Sequence, residues 1–496
     1  MIYTISYFIL IVYGLIMALI FLYSLMQLQL LKGSLRTRKK ELTNTNVSKK
    51  IDVNTLPKVT VQLPIYNEQY VIERLLESIT KLDYPKNLLE IQVLDDSTDE
   101  SKNLIAKKVT ELQQKGIDIT HMHRSLRTGF KAGALKEGLT KAKGEFIAIF
   151  DADFTPNPNW LHATLCGFTE HSVGLVQTRW GHLNRDFSLL TKIQALALDF
   201  HFHLEQGGRN ALKHFMSFNG TAGIWRKSCI LDAGNWQADT LTEDLDLSYR
   251  AQLKGWKFKY LDHIETPAEL PIFMDAVKNQ QFRWNKGAAE NFKKLATQLI
   301  KNPKTPLKTK VFGIFHLFNS SVFLLVFLAS LLSLPMLIIK NIYPEFMGIF
   351  NIFSFLAISM LIFFICYWVI FKRVYGGGFA NFIKYIQLFF SFFSISMGFS
   401  LINSIGVLEG HLGKKSPFVR TPKIKIEGKY FSKKNSKYNS KKVHWSTYLE
   451  GVMIIYFLVA LYLDVVYKDL GLLCYHFMLL SGFSYVFLKT IAFNKP

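Results

Sequence analysis

The feature that most constrains this chain is a series of long stretches without a charged residue. The first runs from Met1 to Leu31, and about 20 apolar residues are enough to cross the hydrocarbon core of a bilayer. Later uncharged or apolar stretches are Val311–Ile339, Phe346–Phe371, Tyr385–Leu408, Gly451–Leu463 and Leu470–Leu488. These stretches predict a multi-pass integral membrane protein embedded in a lipid bilayer.

The middle of the chain has a different composition. Between residues 59 and 305, charged residues alternate with short apolar patterns of strand and helix type, as in a water-soluble α/β domain. The sequence therefore predicts four regions: an N-terminal transmembrane helix at 1–31, a basic linker at 32–58, a soluble α/β domain at 59–305 and an α-helical membrane bundle at 306–496.

The formal net charge of +22 is concentrated beside the apolar stretches. Lysine and arginine crowd residues 32–50, 301–310 and 414–442. This distribution follows the positive-inside rule, under which such residues stay on the cytoplasmic side, and it argues against a nucleic-acid partner. We therefore expect the soluble domain to be cytoplasmic.

For the stretch Tyr385–Leu408, its length and the charge of the loop that follows lead to different predictions of whether it spans the membrane. Its length favours a membrane span, which would place the basic loop at 411–447 outside the cell. The strong basic bias of that loop favours the cytoplasm, and we give the charge more weight. The sequence thus predicts five spans, an interfacial helix near 385–408 and a cytoplasmic loop at 411–447.

The soluble region begins with the pattern of a βαβ unit. A β-rich run ends at Pro64 and is followed by Tyr66, a helical pattern and a second strand that ends in Asp95 and Asp96. Ligands of open parallel sheets bind outside the carboxyl ends of the strands, where Asp96 could accept hydrogen bonds from a base or ribose. Asp96 could equally cap the following helix.

Two further carboxylates follow the apolar strand Phe146–Phe150. Strand alternation would place Asp151 and Asp153 on the same side of the chain, at the mouth of the sheet. A divalent cation would offset their mutual repulsion, and oxygen ligands suit Mg²⁺ or Mn²⁺, either of which can bridge to a diphosphate. A solvated turn is the alternative interpretation.

A third acidic pair, Glu243 and Asp244, precedes a helical pattern. The helix dipole stabilises carboxylates at this position, so an acid held there is a candidate general base, with helix capping as the alternative. A glycine-punctuated basic segment with Arg124, Arg127 and Lys131 lies upstream. It could neutralise phosphates, or it could be an ordinary solvated face.

With these motifs and the segment from Gln280 to Trp284 (QQFRW), the chain resembles the family 2 inverting glycosyltransferases, and among them the processive cellulose-synthase-like group. The resemblance covers residues 59–294. Stretches 129–138 and 218–223 are most similar to the mannan and glucan synthases of the cellulose-synthase-like A and C types. It implies a GT-A-like domain with a mixed, mostly parallel sheet, dependence on Mg²⁺ or Mn²⁺, and a nucleotide-sugar donor, UDP-glucose or GDP-mannose.

The resemblance also implies roles for the matched positions. Asp244 would be the catalytic base with Glu243 beside it, and Asp153 and Asp151 would hold the metal. The implied donor-binding residues are Tyr66, Asp96, Lys131, Asp151, Gln280 and Arg283. The implied acceptor-binding residues are Trp284, Asn219, Gly220 and Thr221.

The basic loop carries one more match. Residues Phe418–Lys423 (FVRTPK) resemble the gating loop FxVTxK of cellulose synthases, with Arg420 where that pattern has valine. The resemblance implies that Thr421 and Lys423 reach the donor diphosphate.

Together these patterns predict an inverting glycosyltransferase that adds a hexose to a growing β-linked polysaccharide and translocates it. The alternative acceptor is a membrane lipid, since ceramide glucosyltransferases carry similar motifs. A transporter or structural membrane protein that only binds nucleotide is disfavoured, because it would have no use for Glu243-Asp244 together with Arg283-Trp284.

Overall fold

The computed structural model of the chain describes residues 2–43, 55–416 and 445–494. The chain begins with one long helix, α1 Ile2–Thr43. The strands that follow are β1 Val59–Ile65, β2 Leu89–Asp95, β3 Ile119–His123, β4 Phe146–Ile149, β5 Val173–His182, β6 Gly223–Arg226 and β7 Lys257–Ala268. The helices among and after them are α2 Ile72–Thr80, α3 Ser101–Gln114, α4 Phe130–Lys141, α5 Trp160–Leu165, α6 Leu189–Asp199, α7 Gly207–Leu212, α8 Lys227–Asp232, α9 Glu243–Leu253 and α10 Met274–Lys301.

The strands form one seven-stranded sheet in the order β3-β2-β1-β4-β6-β5-β7. β6 is antiparallel to both of its neighbours, and the other pairs of adjacent strands are parallel. The predicted mixed, mostly parallel sheet is therefore confirmed. The predicted βαβ unit is formed by β1, α2 and β2.

Two apolar layers cover the faces of the sheet. Successive residues of β4 alternate between them, as a pleated strand requires: Ala148 belongs to one layer, and Ile147 and Ile149 belong to the other. The first layer contains α2 and α3 side chains such as Leu75 and the second contains those of α4 and α9, such as Leu135. All five side chains are buried, and each large one contributes about 1.5–3 kcal/mol of hydrophobic stabilisation.

Long apolar helices make up the remainder of the described chain. They are α11 Leu307–Phe318, α12 Ser321–Ile342, α13 Met347–Leu356, α14 Ile358–Tyr375, α15 Phe379–Leu412, α16 Trp445–Val466 and α17 Leu470–Asn494. Six helical segments in the described ranges are long and apolar enough to cross a membrane: Tyr3–Arg36, Ser321–Ile342, Pro344–Tyr375, Phe379–Leu412, Trp445–Val466 and Leu470–Ala492. The first helix continues past the predicted boundary at residue 31 into the predicted linker, as far as Thr43.

One group of helix ends contacts the sheet domain and α10. Ser34 in α1 donates a hydrogen bond of 2.6 Å to the His203 carbonyl. Arg373, near the end of α14, forms an ion pair with Asp262 of β7. Near the start of α16, Glu450 lies 2.6 Å from a lysine of α10.

The opposite ends of these helices contact one another. The rings of Tyr3 in α1 and Tyr343, just after α12, lie 5.7 Å apart between centroids. Lys340 near the end of α12 pairs at 2.8 Å with Asp469, which directly precedes α17. The helices thus have one end toward the sheet domain and one end away from it.

The end of α15 contacts α10 directly, whereas its start contacts the last residue of α14, which in turn contacts the sheet domain. At its start, Asn381 donates to the Tyr375 carbonyl at 3.0 Å, and the Tyr375 hydroxyl accepts a 2.7 Å hydrogen bond from Arg185 between β5 and α6. At its end, Glu409 pairs at 3.0 Å with Lys286 of α10. Between these points α15 packs against α6 and α10.

Candidate active site

A cavity opens at the carboxyl ends of β1, β2 and β4 and is lined on one side by α10. The predicted site residues that line it are Tyr66, Asp96, Lys131, Asp151, Asp153, Asn219, Gly220, Glu243, Asp244, Gln280, Arg283 and Trp284. These residues come from separate segments of the chain. The fold brings them together because the carboxyl ends of parallel strands meet at one edge of the sheet.

Three predicted residues do not belong to the described cavity wall. Thr221, predicted at the acceptor, is buried, and its hydroxyl accepts a 2.9 Å hydrogen bond from the Asp151 amide. This placement corrects the prediction, since Thr221 lies behind Asp151 and fixes the backbone of its turn. Thr421 and Lys423 lie outside the described residues.

Asp151 and Asp153 both line the cavity, but strand alternation is the wrong reason for it. β4 ends at Ile149, so the two carboxylates lie in the turn that follows the strand. The Asp153 side chain is buried, whereas that of Asp151 is 34 % exposed. Two carboxylates in one cavity wall offer the oxygen ligands that a hard divalent cation prefers, so these residues fit Mg²⁺ or Mn²⁺.

Lys131 on α4 connects the two sides of the cavity. Its ammonium lies 2.5 Å from a carboxylate oxygen of Asp151 and donates a 2.9 Å hydrogen bond to the Gly220 carbonyl. Burial alone would lower the pKa of Lys131, but the carboxylates of Asp151, Glu243 and Asp244 raise it above its usual value. The side chain is therefore a fixed positive charge in the cavity.

Glu243 and Asp244 form the first turn of α9, as the sequence predicts. Burial and the neighbouring charge of Glu243 raise the pKa of Asp244 to about 7, against the opposite effects of Lys131 and Arg283. One Asp244 oxygen also accepts a 2.8 Å hydrogen bond from the Leu245 amide at the start of the helix. A carboxylate whose pKa is near neutral is well matched to proton transfer.

Gly220 makes room for these charged groups. Its φ is +80°, a conformation that favours glycine. A Cβ atom at this position would lie 3.0 Å from the Asp244 carboxylate and 3.5 Å from the Lys131 ammonium. The absence of a side chain at Gly220 therefore leaves room for the Asp244 carboxylate and the Lys131 ammonium.

Arg283 and Trp284 enter the cavity from α10. Burial lowers the pKa of Arg283, while the carboxylates of Glu243, Asp151 and Asp244 act in the opposite direction. The guanidinium thus lies among the acids at the centre of the cavity, and it remains charged since arginine keeps its proton in proteins. Trp284 adds a flat apolar surface beside it.

Asp96 is held by an arginine that the sequence suggested for phosphate binding. Arg124 donates two hydrogen bonds of 2.7 Å, one to each oxygen of the Asp96 carboxylate. The guanidinium of Arg127 lies 3.5 Å from the ring centroid of Tyr66, in cation–π contact. The capping alternative for Asp96 is wrong, because α3 begins at Ser101.

Asn219 is oriented by residues that the sequence did not indicate. Its amide nitrogen lies 3.0 Å from His201 Nε2, and its amide oxygen accepts a 2.7 Å hydrogen bond from Gln206. His201 Nδ1 lies 2.8 Å from Glu205. These residues belong to a π-helical segment, Phe200–Gln206, after α6. The i, i+5 spacing of a π-helix places residues 201 and 206 on one face, which a search for 3.6-residue periodicity does not detect.

Comparison with known proteins shows which family the chain belongs to. A family model described as glycosyltransferase like family 2 matches residues 57–287. A probable glucomannan 4-beta-mannosyltransferase 3 from Arabidopsis thaliana is 32% identical over 437 residues, which cover 84% of this chain and 73% of that protein. Glucomannan 4-beta-mannosyltransferase 1 from Oryza sativa subsp. japonica is 40% identical over 273 residues, or 54% of this chain and 52% of that protein. The chain therefore spans about half the length of several curated relatives that it matches.

A solved structure is also similar. A mannosyltransferase from Pyrobaculum calidifontis, in complex with GDP-Man and Mn²⁺, has 17% sequence identity and a TM-score of 0.48. The match covers 80% of this chain and 100% of that one.

Proposed function

Because the chain belongs to the family 2 glycosyltransferases, and within them to the cellulose-synthase-like A, mannan synthase type, we propose that it transfers mannose from GDP-mannose to a growing β-linked polysaccharide. Its relatives are named as mannosyltransferases, which favours GDP-mannose over the UDP-glucose that the sequence also allowed. The observation that carries the proposal is the cavity itself. In this cavity the carboxyl group of Asp244, whose pKa is raised, lies close enough to the cations Lys131 and Arg283 to interact with their charges.

The donor nucleotide is expected along the ends of β1 and β2. Tyr66 and Asp96 line the cavity there, and the two hydrogen bonds from Arg124 hold the Asp96 carboxylate in one orientation. The diphosphate would then extend toward Lys131 and Arg283. Arginine suits this role because its planar guanidinium donates paired, charge-assisted hydrogen bonds to phosphate oxygens.

The proposed chemistry is a single displacement with inversion. An acceptor hydroxyl attacks the anomeric carbon from the side opposite the diphosphate, and Asp244 takes the proton of that hydroxyl. The bond between the anomeric carbon and the diphosphate oxygen breaks, and its electron pair leaves with the diphosphate. Lys131 and Arg283 stabilise the charge that develops on the leaving group. Glu243 keeps the pKa of Asp244 high enough for efficient proton transfer.

Asp151 and Asp153 would hold the Mg²⁺ or Mn²⁺ that the family resemblance implies. When bound, the cation supplies positive charge to the donor diphosphate. The hydrogen bond from the Asp151 amide to Thr221 keeps the turn in place. Lys131, which pairs with Asp151 at 2.5 Å, lies where it can also contact a phosphate oxygen.

The acceptor sugar is proposed to lie against Trp284 and Asn219. The indole ring offers a flat apolar face, and the amide of Asn219 is oriented by His201 and Gln206. Both residues line the cavity that contains Asp244. This arrangement would present one acceptor hydroxyl to the base in a defined direction.

We further propose that the catalytic domain is cytoplasmic and that α15 lies at the membrane interface. A 34-residue helix is about 51 Å long, enough to cross the ~30 Å hydrocarbon core. A crossing would separate its ends by the bilayer. Its start, at Asn381, instead contacts Tyr375 of α14, which contacts Arg185 of the sheet domain, and Glu409 near its end contacts Lys286 of α10. These contacts support five spans and a basic loop on the catalytic side.

Cys166 provides a direct test of orientation, since it is exposed on the sheet domain. An impermeant thiol reagent should label it in inside-out membrane vesicles and leave it unlabelled in right-side-out vesicles. The Cys166→Ser variant identifies the labelled site. Labelling of Cys166 in intact right-side-out vesicles would contradict the cytoplasmic orientation.

The nature of the product tests the proposed reaction. Purified full-length protein in lipid nanodiscs is incubated with radiolabelled GDP-mannose and Mn²⁺, and the products are separated into organic-soluble and polymeric fractions. The label is expected in a polymer that an endo-β-mannanase degrades. Label confined to the organic-soluble fraction would instead support a lipid acceptor and overturn the polysaccharide proposal.

A further inference from the structure

A second group of potential metal ligands lies at the edge of the sheet, away from Asp151 and Asp153. Asp95 ends β2, and His121 and His123 belong to the edge strand β3. Asp95 pairs with His123 in the parallel register, and His121 shares its face because residues two apart in a strand point to the same side. One oxygen of Asp95 lies 2.8 Å from His121 Nε2 and 3.3 Å from His123 Nδ1.

The charge of Asp95 requires a partner. Its side chain is fully buried, and its ion pairs in the described part of the chain are those with the two histidines. The nearby Arg124 is engaged by Asp96 through two hydrogen bonds. A buried carboxylate is unfavourable without a compensating positive charge. The two histidines supply that charge when they are protonated, and a bound cation would supply it when they are neutral.

We propose that Asp95, His121 and His123 form a binding site for a transition-metal cation, with Zn²⁺ as the best match. Two imidazole nitrogens and a carboxylate oxygen are common zinc ligands. Tetrahedral coordination at Zn–ligand distances of about 2.0–2.1 Å places ligands roughly 3.3 Å apart. The ligand atoms here lie within 4.8 Å of one another, so a small movement of the side chains completes the site.

The surroundings fit this assignment. The second oxygen of Asp95 accepts a 2.8 Å hydrogen bond from the Ser97 amide, the kind of interaction that orients a ligating carboxylate. The side chains of His121 and His123 are 16% and 24% exposed. A cation can therefore enter from solvent, and water can occupy a fourth coordination position.

The edge site and the Asp151–Asp153 pair should be distinguishable by their metal preferences. Asp151 and Asp153 offer oxygen ligands, which suit Mg²⁺, whereas imidazole nitrogens suit Zn²⁺. Saturating Mg²⁺ should therefore leave the edge site open to Zn²⁺. Because Asp96 follows Asp95 directly and lines the donor cavity, the edge site lies beside the proposed nucleotide pocket.

The experiment is a Zn²⁺ titration of the full chain, purified without a histidine tag, by calorimetry in saturating Mg²⁺. We expect one saturable site whose affinity falls at least about 10-fold in His123→Ala. His121→Gln is expected to weaken Zn²⁺ to a similar degree, because glutamine can still donate a hydrogen bond to Asp95 but is a poor zinc ligand. His171→Ala, which removes an exposed histidine of the same domain, should bind Zn²⁺ as the wild type does.

Two further measurements keep the result independent of folding. Co²⁺ added to the wild type should give the visible absorption of a low-symmetry nitrogen–oxygen site, and Zn²⁺ should raise the melting temperature of the wild type more than that of His121→Gln. The proposal is overturned if the wild type and the His121→Gln/His123→Ala double variant, both folded by circular dichroism, bind Zn²⁺ equally.

Discussion

Replacement of Asp244 by asparagine is the sharpest perturbation of the proposed chemistry. The substitution keeps the size of the side chain, and the amide oxygen can still accept the 2.8 Å hydrogen bond from Leu245. What is lost is the negative charge and, with it, the ability to accept a proton. Loss of a general base lowers a rate by about 10²–10⁴-fold, or about 3–5 kcal/mol in the activation free energy.

The same substitution should not weaken the folded state. Burial and the charge of Glu243 raise the pKa of Asp244 above its value in an unfolded chain. The ionised carboxylate is therefore destabilising in the fold at pH values above that unfolded pKa. Neutral asparagine removes this repulsion, so the melting temperature of Asp244→Asn at pH 8 should equal or exceed that of the wild type.

The assay is mannose transfer under saturating donor, with GDP-mannose binding measured in parallel. Binding should be nearly unchanged in Asp244→Asn, since the carboxylate is proposed to contact the acceptor. The matched control is Asp239→Asn, which removes an exposed acid paired with Lys294 at 2.8 Å; such pairs contribute about 0–1 kcal/mol. Transfer by Asp244→Asn at more than about a tenth of the wild-type rate would refute its role as the base.

Further predictions concern the same cavity. Gly220→Ala should cost about 1–2 kcal/mol of stability from its positive φ and lower kcat, because the new Cβ lies 3.0 Å from Asp244; an unchanged kcat would argue against close packing there. Excess EDTA should stop transfer and weaken GDP-mannose binding, and Asp153→Ala should mimic it; full activity in EDTA would show that no cation is needed. The acid limb of the pH–rate profile should have a midpoint near pH 7, since Asp244 must be ionised to act as the base. If the residual activity of Asp244→Asn keeps this acid limb, the ionisation belongs to another group. His201→Ala should raise the KM for an oligosaccharide acceptor while GDP-mannose binding is unchanged. An equal weakening of acceptor and donor binding would indicate a general structural role.

Much of the site was predictable because its signals are local. The strand before Asp151 is a short apolar run, and the strand before Asp96 alternates apolar with polar residues. Each carboxylate lies within two residues of the end of its strand. The acidic first turn of α9 is equally visible in the sequence. The rule that ligands bind at the carboxyl ends of parallel strands then places these residues together, as observed in the cavity wall.

What the sequence could not provide depends on contacts between distant segments. The pairing of Arg124 with Asp96 is such a contact, and so is the position of Thr221 behind Asp151. The insertion of the antiparallel β6 between β4 and β5 is another. No periodicity or residue spacing in the sequence indicates any of these arrangements.

The π-helical segment illustrates a different limit. Residues Phe200–Gln206 continue the helix α6 without a break in the chain's helical structure. The shift from a 3.6-residue period to the wider π turn brings His201 and Gln206 to the same amide of Asn219. Sequence patterns assume regular helices, so the role of His201 emerges only from the three-dimensional arrangement.

The central claim is that this cavity uses GDP-mannose as its donor, and parallel incubations of the purified protein with labelled GDP-mannose and labelled UDP-glucose test it most directly. We predict incorporation from GDP-mannose that Asp244→Asn abolishes, with little incorporation from UDP-glucose alone. Preferential incorporation from UDP-glucose, or incorporation from GDP-mannose that is unaffected by Asp244→Asn, would contradict the account.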